Sequence, residues 1–583
     1  MKPGLDPAVV GADLARISTT STEIHPAMQG WGARALSLSE FTVGTDLQRT
    51  TLLLSAAVAV LLLLACANVA NLLLARACAR ETELTIRIAM GAGRGRLIRH
   101  LLGESGVLAL LGAGVGLLAV LWIVTAVRQW PAGTLAGIEG LVISPRVVVF
   151  SLAAMIIASL LAGLAPALGA TRLDLHSTLK RAGRGNAAAG SHRLRELLVI
   201  GQVALAMLLL IGGGLMIRSV VRLNQADIGM TTQHVWSVPL PLPRSRYPEE
   251  WQVARFYNVV AARIAELPGI VAVGATSVEP FSGMNLVNDV TPEELAAEHP
   301  SAGYLQAVWR VVSPGYFEAS GVPLLLGRDF GEDDQFDRVP VAIVSRSLAE
   351  RLWPGQDAVG KRLYWGGTDG TPRTIVGVVG DLSDVAVERE RAPTLFLTTR
   401  QLAWPGMSLI VRAERDIPGI AGLVRQAVWA EDAGLPVPVV RPLAESRAQA
   451  TATPRLGATI LAVFGAAALV LALVGLYGVL SYAVVERTRE IGIRMALGAR
   501  PGTVLGWLVG RGMRLAAIGI VVGLAAALAL TPLVRDLLFR TTPTDALVLG
   551  AVPVILVAVA AVAAFVPGWR ATRIDPATAF RAE

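Results

Sequence analysis

The residues able to do chemistry are few in this chain, and their spacing assembles no catalyst. Six histidines (His25, His100, His176, His192, His234 and His299) form no HExxH pair, no paired ligand set and no triad. Two cysteines, Cys66 and Cys78, lie in or beside one apolar run, where neither a disulfide framework nor a zinc spacing can be built. They read as small residues in a helix. Glu332, Asp333, Asp334 and Asp337 cluster without EF-hand spacing and read as a solvated loop. Gly355-Gln-Asp-Ala-Val-Gly-Lys361 matches the first seven positions of a Walker A loop. Arg362 follows where a Ser or Thr should hold magnesium, and no Walker B context comes after it. That segment therefore reads as a turn closing a helix–strand connection. The expectation is a protein that is no enzyme and binds no metal or cofactor of its own.

What must be positioned is a set of membrane helices. Of 583 residues, 53% are hydrophobic and only 16% charged, against about 25% charged in ordinary globular domains. A mean hydropathy of +0.56 excludes a disordered chain, a collagen-like fibre and an ordinary cytosolic enzyme. Seven runs approach the twenty or so apolar residues that cross a bilayer: Leu52–Ala75, Ser105–Val127, Val147–Leu168, Leu197–Ile217, Leu456–Val485, Met513–Leu533 and Ala546–Val566. Pro532 and Pro553 interrupt the last two without cancelling them as spans. The first run is too long, and too far from Met1, to be a cleavable signal.

Arginine and lysine concentrate in alternate loops: Arg76 to Arg99, Arg172 to Arg195, Arg487 to Arg511, and the tail from Arg570. The positive-inside rule then puts the N-terminus and residues 222–453 outside and the C-terminus in the cytoplasm. The net charge of +8 is a topology signal on this reading, not a nucleic-acid footprint.

A repeat organises these spans. Glu83-Leu-Thr-Ile-Arg-Ile-Ala-Met-Gly-Ala92 matches Glu490-Ile-Gly-Ile-Arg-Met-Ala-Leu-Gly-Ala499 at an offset of 407 (490 minus 83). The same offset carries Gly112 and Gly116 onto Gly519 and Gly523, and Asn68 and Asn71 onto Gly475 and Gly478. Ala170-Thr-Arg-Leu-Asp174 and Ala571-Thr-Arg-Ile-Asp575 form a second pair, which includes Arg172 and Arg573. Each cassette places Glu and Arg at i and i+4 (Glu83/Arg87, Glu490/Arg494), the better ion-pair orientation on a helix. Gly91 and Gly498 stand where a helix needs a left-handed terminal residue. The expectation is a short amphipathic cytoplasmic helix in each copy, serving as a docking element. The paired glycines allow close helix approach in lipid, and Asn68, Asn71 and Gln202 are expected to bond between helices.

Residues 222–453 read as an α+β domain. Strands are expected at Val235–Pro243, Ile270–Ser277, Val339–Val344, Thr374–Val379, Ser408–Ala413 and Val437–Val440, with helices at Glu249–Leu267 and Ile417–Ala430. Two βαβ-like units flanking a middle portion suggest a ferredoxin-like layout with an insertion. Ahead of the first span, Asp6–Ile24 reads as a helix and Ala33–Val43 as a strand.

Taken together, these motifs resemble the MacB/FtsX family of bacterial ABC-transporter permeases. Ala65-Cys-Ala-Asn-Val-Ala-Asn-Leu-Leu-Leu-Ala-Arg76, the two E-x-x-x-R-x-A-x-G-A cassettes and Ala571-Thr-Arg-Ile-Asp-Pro576-Ala-Thr-Ala-Phe-Arg581 carry the likeness in the spans. Val312-Ser-Pro-Gly-Tyr-Phe317, Gly327-Arg-Asp-Phe330 and Ile375-Val-Gly-Val-Val-Gly-Asp381 carry it in the outer domain. The resemblance implies a polytopic α-helical membrane protein of about seven spans with one large extracytoplasmic α+β domain of the MacB periplasmic-core type. The expected domains are a remnant of a first core domain (1–50), an FtsX-like three-span unit (51–181), a linker and fourth span (182–221), the core domain (222–453) and a second three-span unit (454–583). The span before the first unit and most of its outer domain are absent, so the chain resembles a duplicated permease lacking the start of its first half.

The resemblance further implies a separate cytoplasmic ATPase, carrying ATP and magnesium, docked on Glu83, Arg87, Gly91, Glu490, Arg494 and Gly498. Arg172, Arg573 and Pro576 would belong to the cytoplasmic motif. Membrane lipid and a membrane-fusion or other periplasmic protein are the further implied partners. The two-fold would lie within the chain or in a homodimer. Implied functions are export of a drug, peptide or lipid-linked cargo; the alternatives are a signalling permease that regulates a periplasmic partner such as a cell-wall hydrolase, and an inactive remnant.

Overall fold

The computed structural model describes residues 7–24, 38–79, 94–128, 144–171, 188–297, 304–368, 370–383, 392–436, 438–487, 493–495, 497, 500–535, 538–539 and 541–573. They divide into two compact units. One contains Leu223–Ala452 with Met1–Gly44, the other Thr45–Arg222 with Thr453–Glu583.

The membrane unit is built from helices α2 (Leu38–Ala79), α3 (Arg94–Arg128), α4 (Pro145–Thr171), α5 (Ala188–Gln225), α11 (Ala452–Glu486), α12 (Pro501–Arg535) and α13 (Ala546–Ala571). Helix is what an apolar segment must adopt in lipid, because only intrasegment bonds satisfy its backbone there. Among the described residues six helices are long and apolar enough to cross a membrane. The seventh expected span falls in α4, whose described apolar stretch is the shorter Pro145–Ile157. Pro532 and Pro553 do not end their helices, and both lie inside continuous α12 and α13. Val199, Val203, Met207, Leu461, Ala468, Leu476, Leu515, Val552 and Leu556 form a shared core between α5, α11, α12 and α13.

N-terminal to the spans, α1 (Pro7–Ile24) is helical as expected. Of the strand expected over Ala33–Val43, residues 33–37 lie outside the described residues and the rest is corrected: Leu38–Val43 belongs to α2, which runs unbroken into the first span. Propagating an existing helix gains one hydrogen bond per added residue, and no partner strand competes for this backbone among the described residues.

The second unit is α+β, as its pattern indicates. Its strands are β1 (Val235–Pro241), β2 (Ile270–Thr276), β3 (Val287–Pro292), β4 (Leu305–Val312), β5 (Leu324–Gly327), β6 (Val341–Ser345), β7 (Arg362–Trp365), β8 (Arg373–Val379), β9 (Thr394–Thr398), β10 (Gly406–Ala413) and β11 (Arg441–Pro442). The order β11-β1-β10-β2, with antiparallel β1–β10 and β10–β2 pairs, is the ferredoxin-like part. The inserted strands β4-β3-β7-β8-β6-β9 close into a ring through the parallel β4–β9 pairing. Closure removes the free edges that an inserted sheet would otherwise expose. The last short strand lies at Arg441–Pro442, after the expected Val437–Val440, where it pairs with Trp236 and Ser237.

Helix α6 (Glu250–Ala265) begins with a capping box between Glu249 and Gln252 and buries Val253, Phe256, Tyr257, Val260 and Ile264 at helical spacing. Helix α9 (Ile420–Trp429) adds Ile420, Val424 and Val428 to the same core. The Tyr257 hydroxyl donates to Leu240 O at 2.6 Å and accepts from Met407 N at 3.1 Å, tying α6 to β1 and β10. Burial pushes this phenol well above its ordinary pKa. Short helix α7 (Tyr316–Ser320) approaches β2 so closely that a Cβ on Gly274 would meet Tyr316 backbone atoms. Helix α8 (Arg346–Leu352), capped by Ser345, leads through Gly355–Lys361 into β7, so the Walker-like segment is a helix–strand connection. Helix α10 (Leu443–Ala450) completes the unit.

The acidic loop corrects one expectation. Glu332, Asp333 and Asp337 are exposed, but Asp334 is buried. It accepts from both Arg328 terminal nitrogens at 2.8 Å and from Gly331 N at 2.7 Å. The Arg328 guanidinium holds the Asp334 carboxyl below the usual carboxylate range, against the opposing effect of burial. The contribution is present above the unfolded carboxylate value of about 3.9 and is lost as pH falls through the depressed folded value. Asp334→Asn should lower stability by about 1 kcal/mol at neutral pH, discounted because Arg328 is half exposed. Melting curves of both proteins against pH check this, and the gap between them should close in acid.

Candidate functional site

The second cassette is the part of the docking expectation that the structure reaches. Ile493–Met495 is helical, and Leu497 N donates to Ile493 O at 3.0 Å, continuing the turn. Met495 packs on the core of the spans, whereas Ile493 and Leu497 are exposed, Leu497 at 83%. Arg494 is exposed on the same turn. An apolar pair beside a cation is thus presented outward, as the amphipathic pattern requires. Glu490 and Gly498 lie outside the described residues, as do Glu83, Arg87 and Gly91 of the first cassette and Arg172 and Pro576.

Basic and aromatic residues brace the helix ends around this turn. The guanidiniums of Arg487 (beyond α11) and Arg511 (α12) lie 5.1 and 5.8 Å from the Trp507 ring centroid. Arg511 also pairs with Glu196 of α5 at 2.9 Å. Arg195 stacks over Tyr482 at 4.1 Å. Arg570 donates to the Tyr477 hydroxyl at 3.0 Å, and Arg573 lies 3.9 Å from the Trp569 ring. Such cation–π contacts are worth about 0.5–1 kcal/mol when exposed and more when desolvated. Together they couple α5, α11, α12 and α13 near the cassette. The arrangement contains no nucleophile–base pair, and no group of three or more His, Cys, Asp or Glu suited to a metal occurs among the described residues.

The helix-packing glycines separate into two cases. Gly519 and Gly523 of α12 face α5, where added Cβ atoms would stand 2.7 Å from Val203 Cβ and from Ala204 O respectively. Gly112 and Gly116 of α3 have nothing within 4 Å among the described residues. Asn68 makes the interhelical bond expected of it, donating to Leu471 O of α11 at 2.8 Å. Asn71 is buried on the same helix and makes no such bond among the described residues.

Sequence reasoning missed the ion cluster at the other end of α5. Asp545 caps α13 through Leu547 N and Val548 N and is paired with Arg218 and Arg222. Ser219 Oγ accepts from Phe539 N at 2.8 Å beside it. The available signal was an aspartate directly before an apolar run, an N-cap pattern. A cavity of about 790 Å³ is lined by α2, α5 and α12 together with Leu461 of α11 and Leu549 of α13, and Arg49 is the one charged residue among its described lining.

Comparison with known proteins follows the same division. The family model described as FtsX-like permease C-terminal matches residues 55–175 and again 462–576, and the MacB-like periplasmic core domain matches 197–428. The macrolide export ATP-binding/permease protein MacB of Azoarcus sp. is 25% identical over 399 residues, covering 66% of this chain and 56% of that protein. The pyoverdine export ATP-binding/permease protein PvdT of Pseudomonas putida is 28% identical over 281 residues, covering 45% and 41%. The chain thus spans about half the length of these relatives. Among solved structures, the periplasmic region of MacB from Actinobacillus actinomycetemcomitans matches at 14% identity and a TM-score of 0.25, over 37% of this chain and 91% of that one.

Proposed function

Because the chain belongs to the MacB/FtsX type of ABC-transporter permeases, we propose that it transmits force from a separate cytoplasmic ATPase to the 223–452 unit to drive export. The chain is a multi-pass inner-membrane permease subunit, and its family implies an ATPase partner. The observation that carries the proposal is the order of the matches: two permease segments bracket one periplasmic core segment. Both ends of that core continue into membrane helices α5 and α11, so a displacement of those helices reaches it through the chain itself.

On this reading the ATPase grips the two cassettes, Glu83–Ala92 and Glu490–Ala499. Exposed Ile493 and Leu497 enter its surface, and the Arg487–Trp507–Arg511 cluster passes the displacement to α11, α12 and α5. ATP and magnesium stay on the partner. The cargo handled outside is a small amphipathic molecule, a peptide or a lipid-linked compound, and two relatives carry macrolide and pyoverdine export in their names.

The test is co-purification with the ATPase together with stimulation of its hydrolysis. Glu83→Arg combined with Glu490→Arg puts like charges at i and i+4 in both cassettes. Binding and stimulation should both fall to background while the amount of chain in the membrane is unchanged. Undiminished binding and stimulation would remove the cassettes as the docking site.

A further inference from the structure

The two copies of the repeat differ where they meet. On α2, Asn68 and Asn71 are both buried, and the positions equivalent to them on α11 are Gly475 and Gly478. Asn68 Nδ2 donates to Leu471 O at 2.8 Å, and its Oδ1 accepts from Gln202 Nε2 of α5 at 3.2 Å. A Cβ added at Gly475 would lie 2.6 Å from Asn68 Oδ1 and would also collide with Gln202 Oε1. The amide of one copy therefore fills the space that glycine leaves in the other. Asn71 continues the seam. Its amide nitrogen and oxygen have no hydrogen-bond partner among the described residues, and it lines a cavity of about 20 Å³ shared with Gly475, Gly478, Arg195 and Tyr482. That volume holds one water, which can both donate to and accept from the Asn71 amide.

We infer that this asparagine-for-glycine exchange makes the pairing of the two three-span units obligately mixed and internal to one chain. Helix α2 pairs with α11 of the same chain, and neither pairs with a second copy of itself. The alternatives fail on volume and on hydrogen bonding. Two α11 faces together would leave glycine holes on both sides and offer no amide to either Leu471 carbonyl. Two α2 faces would drive asparagine into space that glycine alone leaves, against Asn68 Oδ1. The mixed pair fills the holes and gives the amide a carbonyl. In lipid a polar group without a partner is expensive, and a buried asparagine at a helix seam selects partner and register. Mixed pairing between two copies would make the same contacts. Covalent connection favours the internal pair through its high effective concentration. One chain then carries a complete pair of cassettes.

An exchange experiment on the full chain in membranes tests this. Asn68→Gly with Asn71→Gly, and separately Gly475→Asn with Gly478→Asn, should each cause a several-fold loss of folded protein recovered after mild heating in detergent. All four changes in one chain should restore recovery. Co-expressing the two double variants as separate chains should not restore it. Rescue by co-expression would overturn the inference, because the complementary faces then meet only between copies. Because asparagine at position 475 also meets Gln202, a milder set runs beside it: Gly475→Ala should lose recovery and Gly475→Ala with Asn68→Gly and Gln202→Ala should regain it. Failure of both the fourfold chain and the milder set to recover would overturn it equally.

Discussion

Replacing Gly523 by isoleucine is expected to eliminate most folded protein, whereas the same replacement at Gly116, its counterpart in the repeat, is expected to be tolerated. At Gly523 a Cβ would stand 2.7 Å from both Ala204 O and Met207 Cβ, and at Gly519 it would stand 2.9 Å from Ile200 O. Backbone carbonyls of α5 cannot turn away as a flexible side chain can, so α5 and α12 must separate along several turns. Overpacking a tight contact costs about 1–3 kcal/mol, and this geometry falls at the upper end. Contacts across such a seam are the main source of helix association in lipid. At Gly116 nothing lies within 4 Å among the described residues, and the change should stay within about 0.5 kcal/mol. The fraction of monodisperse protein surviving a heating series in detergent measures both. Equal losses at the two glycines would mean that the contact between α5 and α12 is misplaced.

Asp545→Ala is the second large effect. Its carboxylate is 6% exposed, accepts from Leu547 N at 3.1 Å and Val548 N at 3.4 Å as the cap of α13, and is paired with Arg218 and Arg222 of α5. Loss of a cap costs about 1 kcal/mol. Orphaning one side of a buried pair costs about 3–5 kcal/mol, but here both arginines keep about a third of their surface in solvent, which reduces that figure. A combined loss of about 3 kcal/mol is expected, read as a lower melting temperature of the purified protein. Asp545→Asn retains a capping oxygen and should lose less. If Asp545→Ala melts with the parent, the cluster contributes nothing to the fold.

Much of the architecture was readable because membrane helices and amphipathic elements announce themselves by period and length. The apolar runs became α2, α3, α5, α11, α12 and α13, and the Phe256–Val260–Ile264 stripe became the buried face of α6. The ferredoxin-like frame was legible because β1-α6-β2 and β10-α9-β11 each carry their own turn and stripe signals. The closed ring within the insertion was not, because β4–β9 pairing joins segments far apart in sequence and leaves no local mark. Val437–Val440 looked like a strand by composition, but the pairing partner lies opposite Arg441 and Pro442. Leu38–Val43 alternated like a strand and became helix because its neighbour was one.

The repeat revealed which positions correspond, but not that Gly519 and Gly523 are packed while Gly112 and Gly116 meet nothing among the described residues. Packing depends on which helix arrives, and α5 reaches the second copy. Asp334 and Asp545 were invisible as ion-pair centres because their partners are set by loop geometry and by a helix over three hundred residues away. Of the docking residues, Arg494 is the one whose surroundings the structure describes.

Single thiols in a Cys66→Ser, Cys78→Ser background put the whole account at risk in one measurement. Cysteines replacing exposed Val439 in the α+β unit and exposed Leu497 in the second cassette would be challenged in intact cells by a maleimide that cannot cross the inner membrane. Reaction at position 439 in intact cells, with position 497 reacting only after the membrane is opened, is the predicted result. If both positions react from the same side, no lever connects a cytoplasmic motor to an external domain.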